Sequence, residues 1–119
     1  MFECRGGKFE LERYPRRANE VLQAWDAADR LIVRHLEERD EIVGDVLVVN
    51  DSWGALSTAL AHRRPSTLSD SYLAHAAIRE NLRRNRIDLA AVRPLTCFDP
   101  LPVRIDIVVM KVPKSLALL

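Results

Sequence analysis

The chain has 119 residues, of which 48% are hydrophobic and 29% are charged, and its formal net charge is +1. That length and composition are those of one soluble globular domain, and they exclude a disordered tail, a collagen-like chain and a low-complexity segment. No apolar stretch approaches the ~20 residues of a membrane-spanning helix, and the N-terminus carries no export signal, so we expect a cytoplasmic protein.

Residues 1–40 are expected to form an N-terminal hairpin and a helix. Within residues 2–14, Gly6-Gly7 separates two short segments, and the second of them alternates apolar and polar residues as hairpin strands do. A helix is predicted over residues 20–39, with Asn19 as its N-cap. The residues expected on its buried face are Leu22, Trp25, Ala28, Ile32 and Leu36.

Residues 44–119 are expected to form a core in which strands and helices alternate. The run Val46-Leu47-Val48-Val49 is short, continuous and rich in β-branched residues, which is typical of a strand that helices bury in a parallel sheet. The other predicted elements are strands at 67–69, 91–95 and 104–110, helices at 55–62 and 72–85, and a first helical turn at 115–119.

This element order predicts an α/β fold with three layers, a mostly parallel sheet and right-handed crossovers. Only eight residues separate Leu95 from Arg104. A parallel crossover that contains a helix needs a dozen or more, so this link is expected to be a bare loop. The strand that follows it is expected to be an open, apolar edge, and we expect the chain to be a fragment of a longer protein.

The turn after the first core strand is where ligands bind in doubly wound sheets. An adenosyl or dinucleotide ligand needs glycines in that turn, but the turn here, residues 50–54, contains only Gly54, and the bulk of Trp53 would fill the space. Asp51 is predicted to cap the next helix. Asp70, after the second core strand, occupies a position where an acidic residue often binds a ribose, but a helix N-cap is the simpler role. We therefore expect no bound cofactor and only vestigial cofactor positions, which are Asn50, Asp51, Gly54 and Asp70.

Positive charge is concentrated in the middle of the chain. Residues 62–93 contain seven Lys/Arg against three Asp/Glu, whereas residues 1–61 contain eight against twelve. A solvated helix surface is the simpler explanation of such a belt, and a surface for an anionic partner is the other.

No catalytic or metal site is indicated elsewhere. Cys4 and Cys97 have no partner at metal-ligand spacing and are expected to be free thiols. The histidines, His35, His62 and His75, lack a second ligand three or four residues away, so we expect packed or surface side chains.

Several spaced segments make the sequence recognisable. They are Leu22-Gln23-Ala24-Trp25-Asp26-Ala27-Ala28-Asp29, Val46-Leu47-Val48-Val49-Asn50-Asp51-Ser52-Trp53-Gly54-Ala55-Leu56, Asp70-Ser71-Tyr72, Arg79-Glu80-Asn81-Leu82 and Lys111-Val112-Pro113-Lys114-Ser115-Leu116-Ala117-Leu118-Leu119. Together they resemble the N-terminal half of the RlmG/RsmC-type ribosomal RNA guanine-N2 methyltransferases, and the RlmG branch, which modifies the large subunit, most closely. The resemblance extends over nearly the whole chain.

Members of that family have two methyltransferase-like halves. The C-terminal half binds S-adenosylmethionine and carries an Asn-Pro-Pro-Tyr/Phe catalytic segment, whereas the N-terminal half is a degenerate copy. The resemblance therefore implies a partial Rossmann-like methyltransferase fold over residues 1–119, truncated after its fourth core strand, with no catalytic residues. Where a working copy would have the catalytic segment, this chain has Lys111-Val112-Pro113-Lys114, which offers neither an amide side chain nor an aromatic ring to a flipped base.

Three functions remain open at this point. The first is a non-catalytic half that supports the C-terminal half and binds large-subunit ribosomal RNA through its phosphates. The second is a self-sufficient S-adenosylmethionine enzyme, and the third is a protein-interaction module that dimerises through its fourth core strand. The candidate RNA-binding residues are Arg63, Arg64, Arg79, Arg83, Arg84, Arg86, Lys111 and Lys114, and of these Arg79, Arg83 and Arg86 are predicted to share a helix face.

Overall fold

The fold was analysed in a computed structural model, which describes residues 2–4, 7–12, 25, 27–39 and 44–111. Its elements are β1 (Phe2–Cys4), β2 (Gly7–Phe9), α1 (Ala27–Glu37), β3 (Val46–Val49), α2 (Ala55–Ala59), β4 (Ser66–Leu68), α3 (Tyr72–Arg84), β5 (Arg93–Leu95) and β6 (Ile107–Met110). Two short 3-10 turns, at Ala61–Arg63 and Leu89–Ala91, precede β4 and β5.

Strands β3 to β6 form one parallel sheet in the order β5-β4-β3-β6. Val48 lies opposite Thr67 of β4 on one side and opposite Val109 of β6 on the other. Strands β1 and β2 pair separately as an antiparallel hairpin, with Phe2 opposite Phe9. The mixed α/β fold with a parallel sheet and an N-terminal hairpin, as in a truncated Rossmann-like domain, is therefore confirmed.

The helices cover one face of this sheet. Connections from β3 to β4 and from β4 to β5 run in the same direction, so right-handed crossovers place α2 and α3 on the same side. Contacts of α1 with α2 and of α2 with α3 agree with that placement. The described residues thus account for two of the three predicted layers, one of helices and one of strands.

The main core cluster lies between the sheet, helices α1 and α2, and the hairpin. Its fully buried members include Phe2, Val48 and Leu56, and Trp25 packs on it with its ring edge towards Phe2. A second cluster lies under the end of α3, around Ile78 and Leu82. Among the described residues, no helix is both long enough and apolar enough to span a membrane.

The buried face of α1 differs from the predicted one. Ala28 is exposed, whereas Asp29 and Val33 are buried together with Leu36. Ile32 is half-buried, as expected of a residue at the edge of that face. The prediction failed because it excluded a charged residue from the apolar stripe, although Asp29 lies on it. Asn19, Leu22 and the predicted turn at 115–119 lie outside the described residues.

Strand β6 is shorter than predicted. It begins at Ile107 rather than at Arg104, because the chain before it is held in a turn against Asp45. The backbone N–H groups of Asp106 and Ile107 both donate to the Asp45 carbonyl, at 2.9 and 3.0 Å. The link from β5 to β6 contains no helix, as predicted, and all of its residues are described.

Candidate functional site

The carboxyl ends of β3, β4 and β6 lie together at one edge of the sheet, here called the carboxyl edge. The turn after β3 starts with Asn50, which has a left-handed backbone (φ 62) and donates its N–H to the Leu68 carbonyl at 3.2 Å. This hydrogen bond continues the sheet pairing for one residue beyond the strands. The turn is therefore fixed by the sheet itself.

Asp51 points back into the protein, as its predicted capping role requires. Its side chain is buried, and its Oδ2 accepts a hydrogen bond from the backbone N–H of Ser57 at 2.7 Å, in the first turn of α2. Burial raises the pKa of Asp51, while hydrogen bonds from Ser57 and Leu56 and the positive charge of Lys111 act in the opposite direction. The Asp51 side chain therefore stabilises the start of α2.

Gly54 serves packing rather than access to a ligand. Its φ is +92, and a Cβ added there would lie 3.0 Å from the Ile78 Cα, so the turn can approach α3 only as glycine. The preceding residue, Trp53, is half-buried against the main core cluster, and its carbonyl accepts a hydrogen bond from Asn81 Nδ2 at 2.6 Å. The idea that its indole fills a cofactor pocket stays a prediction.

The prediction that Asp70 caps α3 is wrong. Ser71 is the N-cap, and its side chain accepts a hydrogen bond from the Ala74 N–H at 3.1 Å. The Asp70 carboxylate instead accepts a hydrogen bond from the backbone N–H of Cys97 at 2.8 Å, which lowers the pKa of Asp70. The same carboxylate raises the pKa of the Cys97 thiol, which favours the unreactive thiol form. Neither Cys4 nor Cys97 is in a disulfide.

These arrangements do not fit an adenosyl ligand. The vestigial positions Asn50, Asp51 and Asp70 each hold another part of the protein by a hydrogen bond, and Gly54 abuts α3. Within the described ranges, no group of three or more His, Cys, Asp or Glu residues could hold a metal ion. We therefore derive no chemical step at this edge.

Lys111, at the carboxyl end of β6, is part of a buried ion pair. Its Nζ lies 3.0 Å from Oδ1 and 3.2 Å from Oδ2 of Asp29, whose side chain is 1% exposed. The pair links α1 to the end of β6, and the charge of Lys111 also acts on Asp51. Lys111 was predicted to bind RNA, and the structure places its ammonium against a protein carboxylate instead. Lys114, the other candidate on this segment, lies outside the described residues.

The predicted RNA-binding arginines gather at the opposite end of the sheet, here called the amino edge. Arg63 and Arg64 lie directly before β4 begins, and Arg93 is the first residue of β5. Helix α3 runs antiparallel to the strands, so its last residues reach the same edge. Five of the predicted RNA-binding residues therefore lie towards this end of the sheet, Arg63, Arg64, Arg83, Arg84 and Arg86, together with Arg93, which was not among the predicted ones.

Two of these arginines are bound to neighbouring acids. Arg83 pairs with Glu80 at 2.6 Å on the exposed surface of α3. Arg84 pairs with Glu12 at 3.1 Å and also donates to the Asn81 side chain, which fixes it against the N-terminal segment. Arg64 and Arg86 are exposed, and Arg79 and Arg63 are partly buried.

The prediction that Arg79, Arg83 and Arg86 share a helix face is wrong for Arg86. Helix α3 ends at Arg84, so Arg86 lies beyond the helix, in a left-handed backbone conformation with φ 56. The helical spacing does not apply there. Arg86 remains at the amino edge, close to the start of the second 3-10 turn.

Sequence reasoning missed two buried polar residues, Asp29 and Asn81. Asn81 is fully buried, and its amide joins three segments, because it donates to the carbonyls of Trp53 and Glu12 and accepts from the Glu12 N–H. One signal was available for Asp29, since it lies four residues after Trp25 and four before Val33 on an apolar stripe. An acid at such a position indicates a buried partner.

Comparison with known proteins agrees with this fold. The model of the RLMG N-terminal domain family matches residues 1–119. Proteins named ribosomal RNA large subunit methyltransferase G are similar to it: the one from Streptomyces avermitilis is 48% identical over 114 residues, and the one from Klebsiella pneumoniae is 45% identical over 118. These matches cover 95% and 98% of this chain but only 30% and 31% of the two relatives, so the chain spans about a third of their length. The chain belongs to the RLMG N-terminal domain family.

Proposed function

We propose that this chain is the RNA-binding and structural N-terminal part of a cytoplasmic, S-adenosylmethionine-dependent 23S rRNA guanine-N2 methyltransferase, and that it does not itself transfer a methyl group. The observation that carries this proposal is the family match over the whole chain, together with relatives named as large-subunit rRNA methyltransferases. The methyl donor would bind in the remaining part of the parent protein.

The lack of activity in this chain is supported by the carboxyl edge. Asp51 caps α2, Gly54 packs on α3 and Lys111 pairs with Asp29, so the side chains at this edge are engaged in holding the fold. After β6 the sequence continues as Val112-Pro113-Lys114, which has no amide or aromatic side chain for a target base.

Calorimetric titration of this chain with S-adenosylmethionine tests that part. We expect no binding heat, whereas the full-length relative from Klebsiella pneumoniae, as the positive control, is expected to bind. Micromolar binding to this chain would instead support the second function, a self-sufficient methyltransferase.

Ribosomal RNA binding is supported by the amino edge. Arg64, Arg86 and Arg93 are exposed there; among the described residues no ion pair engages Arg64 or Arg86, whereas the charge of Arg93 acts on Asp99. Exposed arginines that are close together neutralise phosphates and release counterions, which makes affinity fall with salt. Arg83 and Arg84 would contribute less, because Glu80 and Glu12 already neutralise them.

The test is filter binding of large-subunit rRNA fragments to this chain at several salt concentrations. Replacing Arg64 and Arg86 by glutamine is expected to reduce the slope of log affinity against log salt by about 1.4, at ~0.7 per phosphate contact. The matched control replaces Arg30 and Arg34 of α1 by glutamine and should leave the slope unchanged. Equal salt slopes for the Arg64/Arg86 variant and the Arg30/Arg34 control would contradict the proposal.

A second surface supports the proposed role of a partner for the catalytic part of the same protein. A groove of about 630 Å³ runs between α1 and β6, which is an edge of the described sheet, and it is lined by Leu31, Ile32, His35, Leu36 and residues 107–110. Val108 and Met110 are 55% and 52% exposed. Because an open apolar edge strand invites pairing, we propose that the rest of the parent chain covers it, and that the isolated chain dimerises there instead.

Size-exclusion chromatography with light scattering tests the dimer. The isolated chain is expected to show a mass that rises with concentration, and Val108→Lys is expected to keep it monomeric, because a lysine on an edge strand opposes pairing. Arg104→Lys, in the turn before β6, is the control and should still dimerise. A monomer at high concentration would remove the support for pairing through β6.

A further inference from the structure

The connection from β5 to β6, residues 96–106, is called here the β5–β6 link. It runs from one edge strand of the sheet to the other, in the direction opposite to the connections that contain α2 and α3. A right-handed crossover therefore takes it over the face of the sheet that those two helices leave open. The link contains no helix, so it crosses that face as a single irregular chain.

Three large apolar side chains of this link are exposed. Phe98 is 94% exposed, Leu101 56% and Val103 108%. They alternate with Pro100 and Pro102, which fix φ and have no N–H group to pair with a strand. Single exposed apolar residues are ordinary, but several on one short segment mark an interaction site.

The link holds Phe98 in a fixed position. The turn that contains it closes on itself, because the Asp99 N–H donates to the Thr96 carbonyl at 3.1 Å and the Asp99 carboxylate accepts from the Thr96 N–H at 2.8 Å. The Cys97 N–H joins this turn to the Asp70 carboxylate, at 2.8 Å. A partner would therefore bind the exposed ring at a small cost in ordering entropy.

The charges of the link do not suit a nucleic acid. It contains Asp99, Asp106 and one cation, Arg104, whose Nε lies 3.0 Å from Oδ2 of Asp106. Asp70, which contacts the start of the link, adds a third carboxylate. RNA phosphates need cations that can neutralise them, and the one cation of the link is already paired. The surface instead suits a protein partner that has an apolar pocket with a basic rim.

The rest of the parent protein is the partner that can reach this face. The matched relatives are about three times as long as the part that the chain covers. Strand β6, which follows the link directly, has Val109 in the main core cluster, so Val108 and Met110 lie on the opposite face, the one that the link crosses. The chain therefore leaves the sheet beside the link, and a part attached there is held at a high effective concentration.

We propose that the remaining part of the parent protein docks on the β5–β6 link, with Phe98, Leu101 and Val103 in an apolar pocket of that part. A few buried anchors contribute most of the binding energy of an interface, and Phe98 is the largest one here. This inference rests on the proposed function, which makes the catalytic part of the same protein the partner. It assigns the contact a surface other than the groove between α1 and β6.

The alkylation rate of the Cys97 thiol tests this docking, because Cys97 is exposed beside Phe98. Peptide mass spectrometry after iodoacetamide treatment gives the rate in this chain and in the parent protein, both at mildly alkaline pH because Asp70 raises the thiol pKa. We expect Cys97 to react about tenfold more slowly in the parent protein, where docking limits access. Cys4, half-buried in β1, is the internal control and should react at the same rate in both.

Two variants of the parent protein identify the anchor. Phe98→Ser should restore the Cys97 rate towards that of this chain, whereas Phe98→Leu, which keeps an apolar side chain, should retain most of the protection. In this chain alone, Phe98→Ser should leave the thermal midpoint unchanged, because the ring is exposed.

Equal Cys97 rates in this chain and in the parent protein would refute the docking. Protection that grows with the concentration of this chain would assign the link to a second copy, and protection of the parent protein that requires added rRNA would assign it to RNA. Either result would overturn the proposal. The main comparison uses neither RNA nor S-adenosylmethionine, so its failure leaves the proposed function to the filter-binding and calorimetric results.

Discussion

Lys111 and Asp29 are 82 residues apart in sequence, yet the Lys111 ammonium bridges both carboxylate oxygens of Asp29, at 3.0 and 3.2 Å. The pair joins the N-terminal helix to the end of β6, at the carboxyl ends of the strands, which is the side where doubly wound sheets bind ligands. Asp29 is 1% exposed, whereas a fifth of the Lys111 side chain remains in contact with solvent. The stability of this edge therefore depends on keeping the two charges together.

Replacing one residue of this pair should lower the free energy of unfolding much more than replacing both. Lys111→Met removes the Lys111 charge from the buried Asp29 carboxylate and is expected to lower the free energy of unfolding by about 3 kcal/mol. The double variant Asp29→Leu/Lys111→Met should recover most of that loss, because two apolar side chains of similar size replace the pair. Urea denaturation followed by circular dichroism measures both. Equal losses in the single and the double variant would show that the pair has no such role.

Asn81 holds three segments together, and its removal should be costly. Asn81→Ala would leave the Trp53 carbonyl and the Glu12 N–H and carbonyl without their side-chain partner, and a loss of about 3 kcal/mol is expected, since each unpaired buried group costs ~1–3 kcal/mol. The matched control is Asn85→Ala. Asn85 makes the corresponding bonds to Glu10 at 2.8 and 2.7 Å, but that contact is exposed, so water can replace it. Thermal unfolding should therefore show a clearly smaller shift for Asn85→Ala.

Alanine substitutions at Gly44 and Gly7 distinguish the cost of backbone strain from the cost of steric overlap. Both have a positive φ, +122 and +139, which other residues rarely adopt. A Cβ at Gly44 would overlap the Asp106 side chain, whereas a Cβ at Gly7 would meet only the Phe9 ring, at 3.9 Å. Gly7→Ala is expected to cost about 1–3 kcal/mol from strain alone. Gly44→Ala should therefore cost more than Gly7→Ala in denaturant unfolding.

The Asp106 carboxylate should stabilise the fold at neutral pH and lose this effect below pH 3.8. The Asp45 backbone N–H, and then Arg104, lower its pKa below the ordinary 3.8. Its contribution is therefore present above pH 3.8 and is lost as the pH falls through the lower value of the folded state. We expect Asp106→Asn to be less stable than the parent chain at pH 7 and the gap to close as the pH falls below 3.8. A gap that is independent of pH would rule out the charge as its origin.

Stability should depend on pH in the opposite direction for Asp51. Burial raises its pKa above 3.8, so the folded state is disfavoured as the pH rises from 3.8 to the higher value of the folded state. Relative to the parent chain, Asp51→Asn should gain stability as the pH rises through that interval, whereas the deficit of Asp106→Asn should develop below pH 3.8 and stay constant above it. The asparagine keeps an oxygen that can accept from the Ser57 N–H. Thermal midpoints at a series of pH values therefore compare the two carboxylates directly.

The sequence predicted the elements whose signals are local. Strand β3 was predicted as Val46–Val49 and is found there, because a continuous β-branched run between turn residues has few alternatives. Helix α3 begins at Tyr72 as predicted, but its cap is Ser71 and not Asp70. Both residues are good caps, and the choice depends on Cys97, which is 27 residues away and holds the Asp70 carboxylate. Such a contact leaves no trace in a local pattern.

The candidate site was less predictable for the same reason. Charge counting located the basic belt, but only the folded sheet reveals that Arg63, Arg86 and Arg93 meet at one edge while Lys111 lies at the other. Periodicity reports which residues face inward, and it does not report which inward polar groups find partners.

The separation of the two edges has a consequence for how such a domain can change over time. The four residues of β3 span about 13 Å, so the ion pair and helix cap at the carboxyl edge are separated by about that length from the exposed arginines at the amino edge. The internal bracing at one end of the sheet and the cationic surface at the other can therefore vary independently of each other.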